Sequence, residues 1–238
     1  MKKLIFIFLV FFVSSSAFAS YEQALQLYQE NKYQESLAMC AQDLVMADDF
    51  KSGSPNYKLR YLAAHNHWKL GNTESASIHF RKCMAIDKTK VDAYIDLALM
   101  YIEKRKLKEA GSIIEDGLNI KEDAMLYWVL GRLSIERGDY QRAKEVLERA
   151  NSLDPEMYFS YNDLGIALMK LGKYGDANAA FSVAYEMNPD SAEINNNLAY
   201  SLYKMGKGAE ALPYAKKAME LASGNEKIKA LAQKIENK

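Results

Sequence analysis

The sequence predicts an all-α chain, a solenoid of about six antiparallel helix pairs followed by a C-terminal capping helix. Three observations carry that prediction. One motif recurs at a spacing of about 34 residues, most clearly in residues 126–155 and 160–189. In those copies Leu130-Gly131, Gly138, Tyr140, Ala143, Leu147, Ala150 and Pro155 fall on Leu164-Gly165, Gly172, Tyr174, Ala177, Phe181, Ala184 and Pro189. The apolar residues between these marks have helical spacing, and no alternating β-branched run is long enough for a strand.

In chain order, residues 1–19 read as a secretory signal peptide. Lys2 and Lys3 precede the apolar run Leu4 to Val13, and Ala17-Phe18-Ala19 offers a small-x-small site with cleavage expected after Ala19. A helix of that apolar run rises about 15 Å, half of a bilayer core of about 30 Å, which argues against a retained anchor. Ser20, not Cys, follows the expected cut. Copy one, 20–50, is the most diverged, keeping Tyr33 with Ser36 in an alanine position. The stretch Ala47 to Asn56, with charge, Gly and Pro, reads as a lengthened loop within one continuous array.

Copy two, 57–90, keeps Gly71, Ala76 and Phe80. Copy three, 91–124, keeps Tyr94, Leu97, Ala98, Tyr101 and Ala110, but has Arg105 at the turn glycine and Gly117 at a later small position. Copies four and five, 125–157 and 158–191, are the most regular. There Gly131, Ala143 and Ala150 let two helices approach, while Leu130 and Leu147 fill the seam. Gly138 can take the positive φ that ends a helix, and Asp154-Pro155 closes the pair. Copy six, 192–224, keeps Leu198, Ala199, Gly206, Ala211 and Ala218 without the terminal proline. Its Pro213 lies early in the second helix, where a missing N–H costs little. Residues 225–238 place Ile228, Leu231 and Ile235 on one side and lysines on the other, as a cap over the last repeat requires.

This pattern resembles the tetratricopeptide repeat family, whose signature is a large residue, Leu-Gly, a tyrosine-like position, a turn glycine, alanine, an aromatic, alanine and proline. The resemblance covers nearly all of the chain after residue 19. It implies a right-handed superhelical solenoid whose first helices line a concave groove for a peptide or folded partner. Carried onto this chain, that groove takes Tyr61, His65 and Trp68 from copy two and Ile95 and Leu99 from copy three. Trp128, Arg132 and Ile135 come from copy four, and Asn162, Ile166 and Met169 from copy five. Asn196, Tyr200 and Tyr203 complete it, with Tyr21 and Tyr28 extending it through copy one. Aromatic side chains with Arg and Met dominate binding energy at interfaces, although such residues at helical spacing are also core residues. Asn162 and Asn196 share one repeat phase, and an amide ladder can pair with an extended backbone. Family members that capture a C-terminal carboxylate use a Lys/Asn cluster. The matching positions here carry Tyr61, His65, Ile95, Asp96 and Leu99, so the resemblance implies an internal peptide segment or a protein surface instead.

No motif carries chemistry, so neither catalytic residues, a metal nor a cofactor is expected. His65 and His67 lie on different sides of a helix. Gly206-x-Gly208-x-x-Ala211 lacks the strand that a dinucleotide fingerprint needs, and Leu171-Gly172-Lys173 lacks the upstream glycine of a phosphate loop. Lys plus Arg and Asp plus Glu balance at 31 each, so nothing argues for nucleic acid, and no further apolar span argues for a membrane. Cys40 and Cys83 fall on second helices of copies one and two. They are either a structural disulfide or two small buried residues.

The expected function is a non-enzymatic periplasmic protein–protein interaction scaffold in envelope complex assembly, binding an envelope protein or peptide; secretion from the cell is the alternative location. A more specific version resembles the six-repeat assembly factors of type IV pili and secretion. A peptidoglycan or glycan binder that stacks sugars on Tyr and Trp is a further alternative, and an enzyme without a recognisable motif the last.

Overall fold

A computed structural model describes residues 20–45 and 56–237. The signal peptide reading, and the loop reading of 47–56 apart from Asn56, lie outside the described residues. The chain divides into two compact units, one running to Lys121 and the other starting at Glu122. Every regular element among the described residues is an α-helix. The first unit holds α1 (20–29), α2 (Tyr33–Val45), α3 (Asn56–Lys69), α4 (Thr73–Ile86), α5 (Asp92–Glu103) and α6 (Leu107–Ile120). The second holds α7 (Ala124–Arg137), α8 (Tyr140–Leu153), α9 (Tyr158–Lys170), α10 (Tyr174–Met187), α11 (Ala192–Lys204), α12 (Gly208–Leu221) and α13 (Glu226–Glu236).

Each pair is made antiparallel by the same turn. Gly71, Gly138, Gly172 and Gly206 sit at φ between 76° and 80°, where only glycine avoids a Cβ clash. Behind Gly138, the Gly138 and Asp139 amides donate to Ile135 and Ser134 carbonyls, satisfying the end of α7. Asn31 and Arg105 hold the same left-handed backbone at φ 60° and 59°, so the turn survives loss of the glycine at some cost. Side-chain caps start other helices: Asp123, Asp139, Ser191 and Asn225 each accept a backbone N–H of the helix that follows.

Within the second unit, α7, α9, α11 and α13 lie side by side as one layer, each also packed on the even-numbered helix that follows or precedes it. The seam is tight. A Cβ on Gly131 would lie 2.5 Å from the Leu147 side chain, and one on Gly165 would overlap the Phe181 ring. Leu147, Phe181, Leu198, Ala199 and Ile235 belong to one buried cluster, each large side chain stabilising by about 1.5–3 kcal/mol. In the first unit Ala24, Cys40, Leu59, Leu62 and Ala63 form a core. Ser36 donates to the Ala24 carbonyl and accepts from Asn66, tying α1, α2 and α3 with buried bonds of 2.7 and 2.8 Å.

Cys40 and Cys83, open in sequence between a disulfide and two small buried residues, are both buried thiols in this structure. Helix α3 packs between α2 and α4 and keeps them apart. Cys40 is enclosed by the Leu59 and Ala63 side of α3, while Cys83 Sγ lies 3.6 Å from the Tyr57 carbonyl, to which it donates. Burial pushes the Cys83 thiol up to about 12.

Candidate functional site

Within each unit, odd-numbered helices at a phase of about 34 residues bring equivalent side chains into rows. The rows are joined by rungs that run from one odd helix to the next. Trp128 Nε1 donates to Asp163 Oδ2 at 2.7 Å, and Arg132 Nε lies 4.0 Å from the same oxygen. The same clamp occurs in the first unit, where the Tyr61 hydroxyl donates to Asp96 Oδ2 and His65 Nε2 lies 3.0 Å from it. A carboxylate oxygen can only accept, so the His65 ring carries its proton on Nε2. In both clamps two donors four residues apart on one helix close on one carboxylate of the next. A third rung uses amides: Asn162 donates to Glu193 at 2.9 Å and accepts from Asn197 at 2.9 Å. Trp68 adds a fourth, donating to Glu103 at 2.9 Å.

The predicted groove residues therefore divide. Tyr61, His65, Trp68, Trp128 and Asn162 lie on odd-numbered helices, and their polar groups are spent on holding neighbouring repeats together. Asn162 is buried and bonded to the neighbouring repeat, rather than open to an extended backbone. Its bonded partner is Asn197, one residue beyond the Asn196 that repeat phase selects. Ile95 is buried, and Leu99 half-buried. Tyr21 and Tyr28 pack on the first unit's core, with the Tyr28 ring 6.2 Å from His65. His65 is enclosed further by Tyr61, Trp68 and Phe80.

What remains accessible lies mainly on the second unit. Arg132 is 46% exposed, with its guanidinium 5.4 Å above the Trp128 ring. Ile135, Ile166, Met169 and Tyr203 are partly buried over the core, Asn196 is half-buried, and Tyr200 is 38% exposed. Asp163, by contrast, is held in the wall. Burial raises its carboxyl to about 6, against the lowering pull of Arg132 and of the Trp128 hydrogen bond. Sequence reasoning missed Asp163, Glu103, Glu193 and Asn197. The available signal was an acidic residue inside a first helix, seen at equivalent places in Asp96 and Asp163.

Among the described residues, no group of three or more His, Cys, Asp or Glu side chains is placed to hold a metal ion. None of the helices there is long and apolar enough to cross a membrane.

Helix pairs of one repeated length, a left-handed turn within each pair and a layered face of partly open side chains define a helical-repeat interaction protein. Two tetratricopeptide repeat models match, one over residues 57–90 and 125–157 and the other over 162–226, together more than half of the chain. The chain belongs to the tetratricopeptide repeat family, and its fold is the all-α solenoid of that family. No curated protein matches it. Among solved structures it is similar to the Cut9–Hcn1 hetero-tetramer of the APC/C, at TM-score 0.77 and 15% identity over 92% of this chain; it spans 42% of that chain. It is also similar to PilW, a type IV pilus biogenesis factor, at TM-score 0.76 and 14% identity, covering 91% of this chain and 98% of that one. The pilF protein of Pseudomonas aeruginosa gives TM-score 0.74 and 13% identity, over 94% and 98%. At these identities the likeness is one of fold.

Proposed function

We propose that this protein is a non-enzymatic scaffold of the bacterial cell envelope, exported to the periplasm by residues 1–19, that binds a protein surface or peptide segment on the odd-helix face of its second unit. The observation that carries the reading is the division of labour on that face. Its hydrogen-bonding groups lock the repeats, which fixes a rigid wall. Arg132, Ile166, Asn196 and Tyr200 stand partly open on it. A preordered wall with aromatic, Arg and aliphatic anchors suits partner binding, because little entropy is lost on docking.

Affinity capture from periplasmic and membrane fractions tests this, using the protein against Arg132→Ala/Asn196→Ala/Tyr200→Ala. Asn196 and Tyr200 carry no rung, and Arg132 only approaches at 4.0 Å a carboxylate that Trp128 already bonds, so thermal stability should fall little while bound partners are lost. Partners retained by the variant would move the site off this face. Recovery of the protein from the cytoplasmic fraction would remove the envelope half of the reading.

A second, narrower reading is a type IV pilus or secretion assembly factor. It is favoured by the end-to-end match in length with PilW and pilF, whose chains are 98% covered. Capture of pilus components in the same experiment would select it.

A further inference from the structure

The charge on the odd-helix face of the second unit is uneven along its length. At the α7 end the open cation Arg132 already has a carboxylate, Asp163, beside it. The row one position beyond the apolar stripe reads Glu136, Lys170 and Lys204, turning from acidic to basic toward α11. Helix α13 continues the trend with Lys234. Lys204 Nζ lies 5.5 Å from the Tyr174 ring centroid and 5.8 Å from that of Tyr200; Lys234 Nζ lies 5.5 Å from that of Tyr203. Among the described residues neither ammonium has a carboxylate partner; their recorded contacts are ring faces.

That arrangement selects against cations and for anions. The negative ring faces that would attract a cationic ligand are already occupied by lysines, so a basic segment would meet like charge. The lysines' positive charge suits an anion, and the surface beside them is aromatic and apolar, through Tyr200 and Met205, each 38% exposed. A nucleic acid is a poorer fit, because the whole chain balances 31 basic against 31 acidic residues and the patch is short.

We infer that the α11–α13 end of this face binds an acidic protein segment, its carboxylates on Lys204 and Lys234 and an aromatic or aliphatic side chain on Tyr200. This rests on the proposal that the odd-helix face is the partner surface and gives that partner a chemistry. Charge pairing at such a rim governs association rate and selectivity, and leaves a clear salt dependence.

The test is fluorescence anisotropy of the purified protein with a labelled glutamate–tyrosine random copolymer, with polyglutamate, a lysine–tyrosine copolymer and single-stranded DNA as comparisons. The copolymer of glutamate and tyrosine should bind most tightly. Lys204→Glu/Lys234→Glu should weaken it by about tenfold or more at low salt, with unchanged thermal stability. Tyr200→Ala should weaken the glutamate–tyrosine copolymer but not polyglutamate. Equal binding of the mixed copolymer, polyglutamate and DNA would overturn the inference in favour of generic polyanion attraction. Unchanged binding after charge reversal would overturn it outright. Envelope partners lost with Tyr200→Ala yet kept by the charge-reversed protein would retain the face and reject the acidic chemistry. Partners kept by both would reject face and chemistry together.

Discussion

Asp163 shows what a side chain gives up to join two repeats. Its carboxyl is 16% exposed, receives the Trp128 N–H and faces Arg132, with Glu193 adding like charge nearby. Burial outweighs its partners, and its pKa rises from 3.8 to about 6. Between those values the folded protein holds a proton that the unfolded chain has released. The stability due to this group therefore falls as pH rises through that window and levels off above it. Asp163→Asn retains an oxygen for Trp128 and removes the titration. The unfolding free energy of the wild type relative to this variant should fall by about 2 kcal/mol between pH 4.5 and 7, at about 1.4 kcal/mol per unit. Parallel urea-denaturation curves across that range would reject the assignment. The sequence shows an acidic residue at matching places in Asp96 and Asp163 but not the bonds it makes, and the reason is geometric. Superposing copies compares residues 34 apart, whereas these bonds join residues 35 and 31 apart on different copies.

At the scale of the helix pair, the turn is the element the sequence displays most openly. Gly71, Gly138, Gly172 and Gly206 mark it by composition, and positive φ is the physical reason they do. Arg105 occupies the same backbone region with a Cβ. Arg105→Gly should relieve that strain and stabilise the α5–α6 pair by about 1 kcal/mol, read as a higher denaturation midpoint at unchanged m-value. A lower midpoint would mean that Arg105's side-chain interaction outweighs the strain. The close helix seams were equally legible, since Gly131 and Gly165 stand opposite Leu147 and Phe181 at one phase. The cysteines were not. Second helices of neighbouring copies suggested adjacency, and the intervening α3 separates them.

For the molecule as a whole, the sequence period reads as one array, and the chain is made of two compact units, each with its own packing. The second unit has its own core, from Leu147 through Phe181 to Ile235, and its own terminal helix α13. A fragment of residues 122–238 should therefore fold alone, giving helical circular dichroism and a cooperative melt. A non-cooperative, largely unfolded fragment would show that this core needs the rest of the chain.

The overlapping rungs also constrain how such a chain can be inherited. Trp128 is bonded to Asp163, and Asn162 to Asn197, so the two spans overlap at residues 162 and 163. From Trp128 to Asn197 no crossover point exists at which a foreign repeat could be spliced in without parting a donor from its acceptor. Repeat proteins are usually treated as strings of exchangeable cassettes. Across α7 to α11 this one is a single hereditary block, and a shuffled descendant would leave Asp163 or Asn162 buried without its match.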